Sequence, residues 1–278
     1  MIPVSDAWKQ AQRQILVPES FVEIKYFITD PDVQGDLSVT ANNKESISTM
    51  DDVIDGVDET FEYYTTLEDG VFMLNGQQNY LDDYKTTGYI SSEICGDDGV
   101  FNTPIVLTFN TTKIHGNAIP GVTFIWSNAY DEYPVRYSVA AYNGNTLVGS
   151  GLVTDNKSVK SDVFFEFSDF NKIVVTVYEW CLPQRRCRLE SMMVGIYNTY
   201  SKRDLMSYEH EQSCDLLSGS LPKNAITFKF DNSDSKWNPL NKDGLNKYIL
   251  ERQEVSVRYG YDINGKTEWI NEIGRAHV

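Results

Sequence analysis

The stretch Asn128-Ala-Tyr-Asp-Glu-Tyr133 places a planar amide, two carboxylates and two phenol rings along one short loop. Aromatic faces stack on the apolar side of a pyranose ring while amides and carboxylates fix its hydroxyls, so Asn128, Tyr130, Asp131 and Tyr133 are candidate sugar contacts. The simpler reading of the same residues is a polar hairpin loop with its tyrosines folded onto the rim of a sheet. Arg185 opens the basic run Arg185-Arg-Cys-Arg188 and is a candidate ligand contact too, although arginines in such a loop more often serve as surface or ion-pair groups.

A catalytic constellation is harder to find. Glycoside hydrolysis needs two carboxylates at a fixed separation, and 40 Asp and Glu residues make such a pair conceivable anywhere and identifiable nowhere. Nucleophilic serine chemistry needs a histidine oriented by a carboxylate. His115 precedes Gly116-Asn117 and His210 lies between Glu209 and Glu211, so both are expected in exposed loops. No Gly-x-Ser-x-Gly elbow occurs, and no phosphate-binding loop is expected. The reading is therefore a protein that binds without turnover, with neither cofactor nor metal.

The cysteines agree with that. No close pair with metal-ligand spacing exists among Cys95, Cys181, Cys187 and Cys214, and the histidines are scattered. Cys181 and Cys187 lie six positions apart across Leu-Pro-Gln-Arg-Arg and could face each other over a turn, either as free thiols or as one disulfide, and free thiols are expected in a cytosolic product. Asp231 closes the outer face of the strand that ends at Phe230, and the polar residues after it read as turn chemistry: Asn232, Ser233, Asp234 and Ser235 bond nearby backbone amides, and Asn238-Pro239 turns the chain again. A calcium loop would need a central glycine and a distal glutamate, and the serines and Trp237 break that pattern. Asp231, Asn232 and Pro239 are thus structural. So is Arg188, which is expected to clamp a loop carboxylate, Asp97 or Asp98, at a sheet rim after Pro183 has interrupted a strand. Asn110-Thr-Thr112 and Asn156-Lys-Ser158 read as ordinary turn asparagines.

A net charge of −16 argues against nucleic acid as a partner, because phosphate backbones are bound by clustered cations. No run nears the roughly 20 apolar residues of a membrane helix, and the amino terminus lacks a basic segment followed by an apolar one, so neither membrane insertion nor a signal peptide is expected. With 41% hydrophobic and 13% aromatic residues the chain should fold.

The elements that must position these residues are strands. Phe21 to Thr29 alternates, with Val22, Ile24, Tyr26 and Ile28 on one face, and a second strand is expected at Asp36 to Thr40. A short helix is expected from Ser5 to Ile15 with Ser5 as its cap. Residues 42 to 60 read as a polar connector. Short apolar runs then follow one another: Ile105 to Phe109, Val122 to Trp126, Val135 to Tyr142, Val163 to Phe167, Ile173 to Tyr178 and Leu189 to Ile196. Turn markers separate them at Gly96-Asp-Asp-Gly99, Ile119-Pro-Gly121, Asn143-Gly-Asn145 and Asp155-Asn156, with Asn143-Gly144 a strong hairpin signal. Such spacing indicates a β-sandwich or barrel, with Trp126 and Trp180 in its core. Beyond it, Ile226, Phe228 and Phe230 share one strand face, Gly244 to Leu250 reads as a short helix, and Val255, Val257, Tyr259 and Tyr261 alternate before a hairpin at Asn264-Gly265 whose second arm is Thr267 to Ile273.

The fold expected is thus mainly all-β: a central antiparallel, jelly-roll-like sandwich at 61–200, with an N-terminal segment at 1–60 and a C-terminal β-rich domain at 201–278. A lone terminal hairpin would be marginal in water, so the strands near 21 to 40 are expected to pair with the C-terminal ones, the sandwich being inserted between them.

The residue order Gly88-Tyr-Ile-Ser-Ser, Asp98-Gly-Val-Phe101, Pro120-Gly-Val-Thr-Phe, Tyr133-Pro134, Phe170-Asn-Lys-Ile-Val-Val, Pro183-Gln-Arg-Arg-Cys-Arg-Leu-Glu190 and Val194-Gly195-Ile196, continued by Leu221 to Leu245 and Gln253-Glu-Val-Ser-Val-Arg-Tyr-Gly260, resembles tail-tip and baseplate structural proteins of phages and prophages of Gram-positive bacteria. These carry an inserted galactose-binding-like sandwich. The resemblance spans roughly residues 60 to 270 and implies a virion component made in the bacterial cytoplasm. Its implied partners are other tail or baseplate subunits, further copies of itself and a host surface glycan. The final Gly274-Arg-Ala-His-Val278 lacks the further strands of such a protein, which suggests a truncated piece. The alternative is a carbohydrate-binding module of a secreted or surface-attached bacterial protein.

Overall fold

A computed structural model describes residues 5–13, 20–46, 48–54, 88–128, 130–201, 204–213, 223–251, 253–263, 266–271 and 276–277. The chain divides into two units, one continuous (residues 32–196) and one built from residues 1–31 and 197–278. In chain order, α1 (Asp6–Gln12) and β1 (Ser20–Thr29) belong to the discontinuous unit, and α2 (Pro31–Gln34) straddles the boundary. The continuous unit holds β2 (Leu37–Ala41), β3 (Tyr89–Ile94), β4 (Val100–His115), β5 (Ile119–Ile125), β6 (Pro134–Asn143), β7 (Thr146–Val153), β8 (Lys160–Phe167), β9 (Phe170–Trp180) and β10 (Arg186–Leu189). β11 (Ser191–Tyr200) leads out of it, and β12 (Leu205–Ser213), β13 (Lys223–Phe230), β14 (Glu254–Ile263), β15 (Lys266–Asn271) and β16 (Ala276–His277) complete the other.

The continuous unit is an antiparallel β-sandwich, as the alternation of its runs requires. One layer has the order β2-β4-β9-β6-β7, and the other contains β11-β5-β8. Because side chains alternate faces, Ile105, Leu107 and Phe109 of β4, Tyr137, Val139 and Ala141 of β6, and Ile173, Val175 and Val177 of β9 all point inward, where they meet Val122, Phe124, Val163, Phe167, Met192 and Val194 of the opposite layer. Each Val, Leu, Ile, Phe or Met among them contributes about 1.5–3 kcal/mol through burial. Trp126 and Trp180 lie in this core, edge to face at 6.3 Å. Ser161 of β8 ties the layers together, since its hydroxyl accepts both Trp126 Nε1 at 2.8 Å and the Tyr137 hydroxyl of β6 at 2.7 Å.

Several expectations about the strands change in this unit. Leu189 to Ile196 is not one strand: β10 pairs with β3, whereas β11 pairs with β5. Ile119-Pro-Gly121 is not a turn but the start of β5, where Pro120 occupies a strand end and Gly121 lets β8 pass, since a Cβ there would lie 2.2 Å from the Val163 carbonyl oxygen. The strand at Leu37–Ala41 pairs with β4 of the sandwich (Val39 opposite Phe109) and not with a C-terminal strand. Residues 32–54 therefore belong with the sandwich, and Val53 of the expected polar connector is buried. Hairpin β6–β7 turns at Asn143-Gly144, with Gly144 at φ +58°.

In the discontinuous unit β1 pairs antiparallel with β14, Ile24 opposite Val257, and β14 also pairs with β15 and β16. Ile24, Tyr26, Ile28, Val255 and Val257 are buried. Ser5 caps α1 by accepting the Trp8 N–H at 3.0 Å. β12 and β13 form a hairpin in which Phe228 and Phe230 face inward and Thr227 and Lys229 outward. Its inner face carries His210, which stacks on Tyr259 and meets its hydroxyl at 2.8 Å, so that histidine is a strand residue and not an exposed loop one. The expected helix near Gly244 is a single 3-10 turn, Leu245–Tyr248. The turn at Asn264-Gly265, Ile273 of the last hairpin arm and Cys214 lie outside the described residues.

Candidate functional site

At one end of the sandwich the loops that leave β5, β9 and β3 converge, because Pro134 pairs with Trp180 and Val100 with Glu179. The β5–β6 loop is closed by reciprocal backbone bonds between Ser127 and Glu132, each at 3.1 Å. Asp131 sits at φ +55° in that loop, a left-handed conformation that Asp tolerates. Asn128 and Asp131 are exposed, and Tyr130 and Tyr133 are half-buried.

Glu132 organises the end. Its side chain is 5% exposed, with Oε2 accepting Trp180 Nε1 at 3.0 Å and Oε1 lying 3.3 Å from Arg185 Nε. A carboxylate buried so deeply requires partners of this kind, and the indole N–H inside an apolar core requires an acceptor. One carboxylate therefore fixes the core tryptophan and steers Arg185, 36% exposed, toward the β5–β6 loop. The geometry brings Tyr133 and Arg185 to this end together with Asn128, Tyr130 and Asp131 on one closed loop.

Arg188 does something other than expected. Its guanidinium lies over the Tyr130 ring, 4.6 Å from the centroid, and the residue is 4% exposed. Asp98 instead caps its own turn, accepting the Val100 N–H at 3.0 Å, while Asp97 accepts Gln184 Nε2 at 2.6 Å. The local Asx bond satisfies Asp98 within Gly96–Gly99, and a cation over the phenol ring orients Tyr130. Arg186 is held by Glu45 at 2.6 Å and by the carbonyls of Ser91 and Ser92, so it braces β3.

The remaining predicted residues are structural turns. Asp231 accepts the Ser233 N–H and hydroxyl, Asn232 accepts the Trp237 N–H at 3.0 Å, and Asn238 accepts the Leu240 N–H across Pro239. Cys95, Cys181 and Cys187 are free thiols, and burial pushes all three upward. His115 is not an exposed loop residue: it is 4% exposed and its Nε2 lies 3.0 Å from Asp36. The bonds from the Thr112 hydroxyl and His115, helped by the Lys113 and Thr112 amides, hold Asp36 at about 2.

Sequence reasoning passed over Glu132, although the lone N–H of a core tryptophan at Trp180 signals a buried acceptor. It also passed over a spelling, since Gly260-Tyr-Asp-Ile-Asn-Gly-Lys-Thr267 matches the pattern of a phosphate-binding loop. Such a loop links a strand to a helix. Here Ile263 pairs with Lys266 and Asp262 with Thr267, so the described residues of the motif form an antiparallel ladder between β14 and β15 and not a strand followed by a helix.

No family model matches the chain, and no curated protein matches it. Among solved structures it is similar to chitosan-binding module 1 of a chitosanase/glucanase from Paenibacillus sp. IK-5, with 15% identity, 59% of this chain and 95% of that chain covered, and a TM-score of 0.37. It is similar to the family 32 carbohydrate-binding module of C. perfringens NanJ, solved with galactose, at 15% identity over 63% of this chain and 99% of that one, TM-score 0.37. Chitosan-binding module 2 of the Paenibacillus enzyme, solved with chitotriose, is similar at 13% identity over 59% of this chain and 96% of that chain, TM-score 0.35.

Proposed function

We propose that the continuous unit is a glycan-binding β-sandwich that binds without turnover, and that its contact surface is formed by Asn128, Tyr130, Asp131, Tyr133 and Arg185. The observation that carries this reading is the double engagement of Glu132 with Trp180 and Arg185. It leaves one loop with two half-buried phenol rings, an exposed amide and an exposed carboxylate held on a rigid base. Sugar recognition needs that combination, because a fixed ring loses little entropy on stacking and fixed planar groups discriminate hydroxyl positions. A glycan array probed with the full chain and with Arg185→Ala tests it: sugar-selective signal lost in the variant supports the reading, and a folded chain with no signal ends it.

A second reading, a tail-tip or baseplate subunit of a phage or prophage particle with this unit as its glycan-contacting module, is favoured by one observation. The sandwich is inserted into a unit made from both ends of the chain, the layout that the resemblance in residue order implies. In that setting other tail subunits and further copies of the chain are its partners. Co-purification with particles tests it, and exclusion from them counts against it.

A further inference from the structure

We propose that Cys95 and Cys181 are positioning residues whose sulfur atoms set the backbone of Arg185 and Tyr133, the two arms of the sugar-contact end; this rests on the glycan reading above.

The two cysteines make the same double contact on different arms. Cys181 donates its N–H to the Tyr133 carbonyl at 3.0 Å, and its Sγ accepts the Tyr133 N–H at 3.3 Å. Cys95 donates its N–H to the Arg185 carbonyl at 2.9 Å, and its Sγ accepts the Arg185 N–H at 3.2 Å. In an ordinary antiparallel pair both bonds would run between main chains. Here a side-chain sulfur stands where a carbonyl oxygen would be, so each arm is docked through one main-chain bond and one thiol. The Cys95 thiol also donates to the Leu182 carbonyl at 3.2 Å and thereby ties the same sulfur to the β9–β10 turn.

Both groups suit an acceptor role better than a reactive one. Burial favours their neutral form, and a neutral thiol keeps the proton that Cys95 gives to Leu182 while being a poor nucleophile. The arms so docked are the ones that Glu132 and Arg185 join at 3.3 Å, so a shift of either backbone moves the ion pair as well as the phenol ring of Tyr133. Cys187 differs: its own N–H donates to the Ser91 hydroxyl at 2.9 Å, which braces β10 against β3.

The test uses the full chain with Cys181→Ala, Cys181→Ser, Cys95→Ala and Cys187→Ala, reading sugar affinity by calorimetry and amide hydrogen exchange of Tyr133 and Arg185 by nuclear magnetic resonance. Cys181→Ala is expected to weaken binding about fivefold, the worth of one hydrogen bond, and to speed Tyr133 exchange by a similar factor. Cys181→Ser, which keeps an acceptor, is expected to restore affinity to within about twofold of the parent. Cys187→Ala keeps the backbone N–H that Ser91 accepts but removes a fully buried sulfur from the core, and is expected to lower the melting temperature while leaving affinity and both amides unchanged. Retained affinity together with retained Tyr133 protection in Cys181→Ala overturns the proposal. If the parent chain binds no sugar, the glycan reading falls, and exchange alone decides the positioning role: faster exchange at Tyr133 in Cys181→Ala and at Arg185 in Cys95→Ala sustains it, and unchanged exchange overturns it.

Discussion

The carboxylate of Glu132 accepts the indole N–H of Trp180 at 3.0 Å, so a polar bond inside the sandwich core fixes the base of its most decorated loop. Removing the acceptor strands a buried donor and takes the carboxylate from beside Arg185. Glu132→Ala is therefore expected to cost about 2–3 kcal/mol, measured as a shift in the urea midpoint at constant slope. Glu132→Gln, which can still accept from Trp180, is expected to lose less. Equal losses in the two variants would mean that Trp180 does not depend on this oxygen.

Ser161 holds two donors from facing sheets, the Trp126 indole and the Tyr137 hydroxyl. Ser161→Ala leaves both buried without their acceptor and is expected to destabilise by about 2–4 kcal/mol. Thermal unfolding of the variant checks this, and a change under about 0.5 kcal/mol would place it among ordinary surface substitutions.

Asp36 predicts how stability responds to acid. Its folded value of about 2 lies below the ordinary 3.8, chiefly through the Thr112 hydroxyl and then His115, so the unfolded chain takes up the proton first as pH falls. The stabilisation is fully present above pH 4 and is lost on descending toward pH 2. Asp36→Asn is expected to be less stable at neutral pH and to show a shallower acid limb between those values. Parallel acid limbs in parent and variant would contradict the assignment.

Gly99 sits at φ +78°, where an added Cβ would lie 2.6 Å from the Trp180 carbonyl oxygen, and its own carbonyl accepts the Trp180 N–H at 2.8 Å. Gly99→Ala combines a left-handed conformation with a backbone clash and is expected to cost about 2 kcal/mol or more. Gly144→Ala provides the comparison, since its φ is +58° but nothing lies within 4 Å of the added atom, and a smaller loss is expected. Equal losses would assign the cost to conformation alone.

Much of the sandwich was legible because period-two alternation is imposed by the backbone itself: Ile105, Leu107 and Phe109, or Ile173, Val175 and Val177, have one inward orientation in any half-buried strand. Turn residues with a local mechanism, such as Asn143-Gly144 and Asn232, were equally plain. Partner choice was not. Leu37–Ala41 alternates as well as β1 does, and nothing local tells it to join β4 and not a C-terminal strand. The break at Glu190 is hidden in the apolar run from Leu189 to Ile196 because two strands with different partners abut there. The site was half legible: its exposed polar and aromatic residues stand out in one loop, whereas the burial of Glu132 and His115 depends on what the fold packs against them, and a sequence read singly carries no record of that.

The glycan reading puts bound sugar at the loop end organised by Glu132, and chemical-shift mapping of the labelled chain against a panel of mono- and oligosaccharides tests it. Saturable shifts are expected at the amides of Asn128, Tyr130, Asp131, Tyr133 and Arg185, and their loss in a Tyr133→Ala, Arg185→Ala double variant that keeps the sandwich spectrum. Saturable shifts centred elsewhere on the chain, or none with any sugar in the panel, would contradict it.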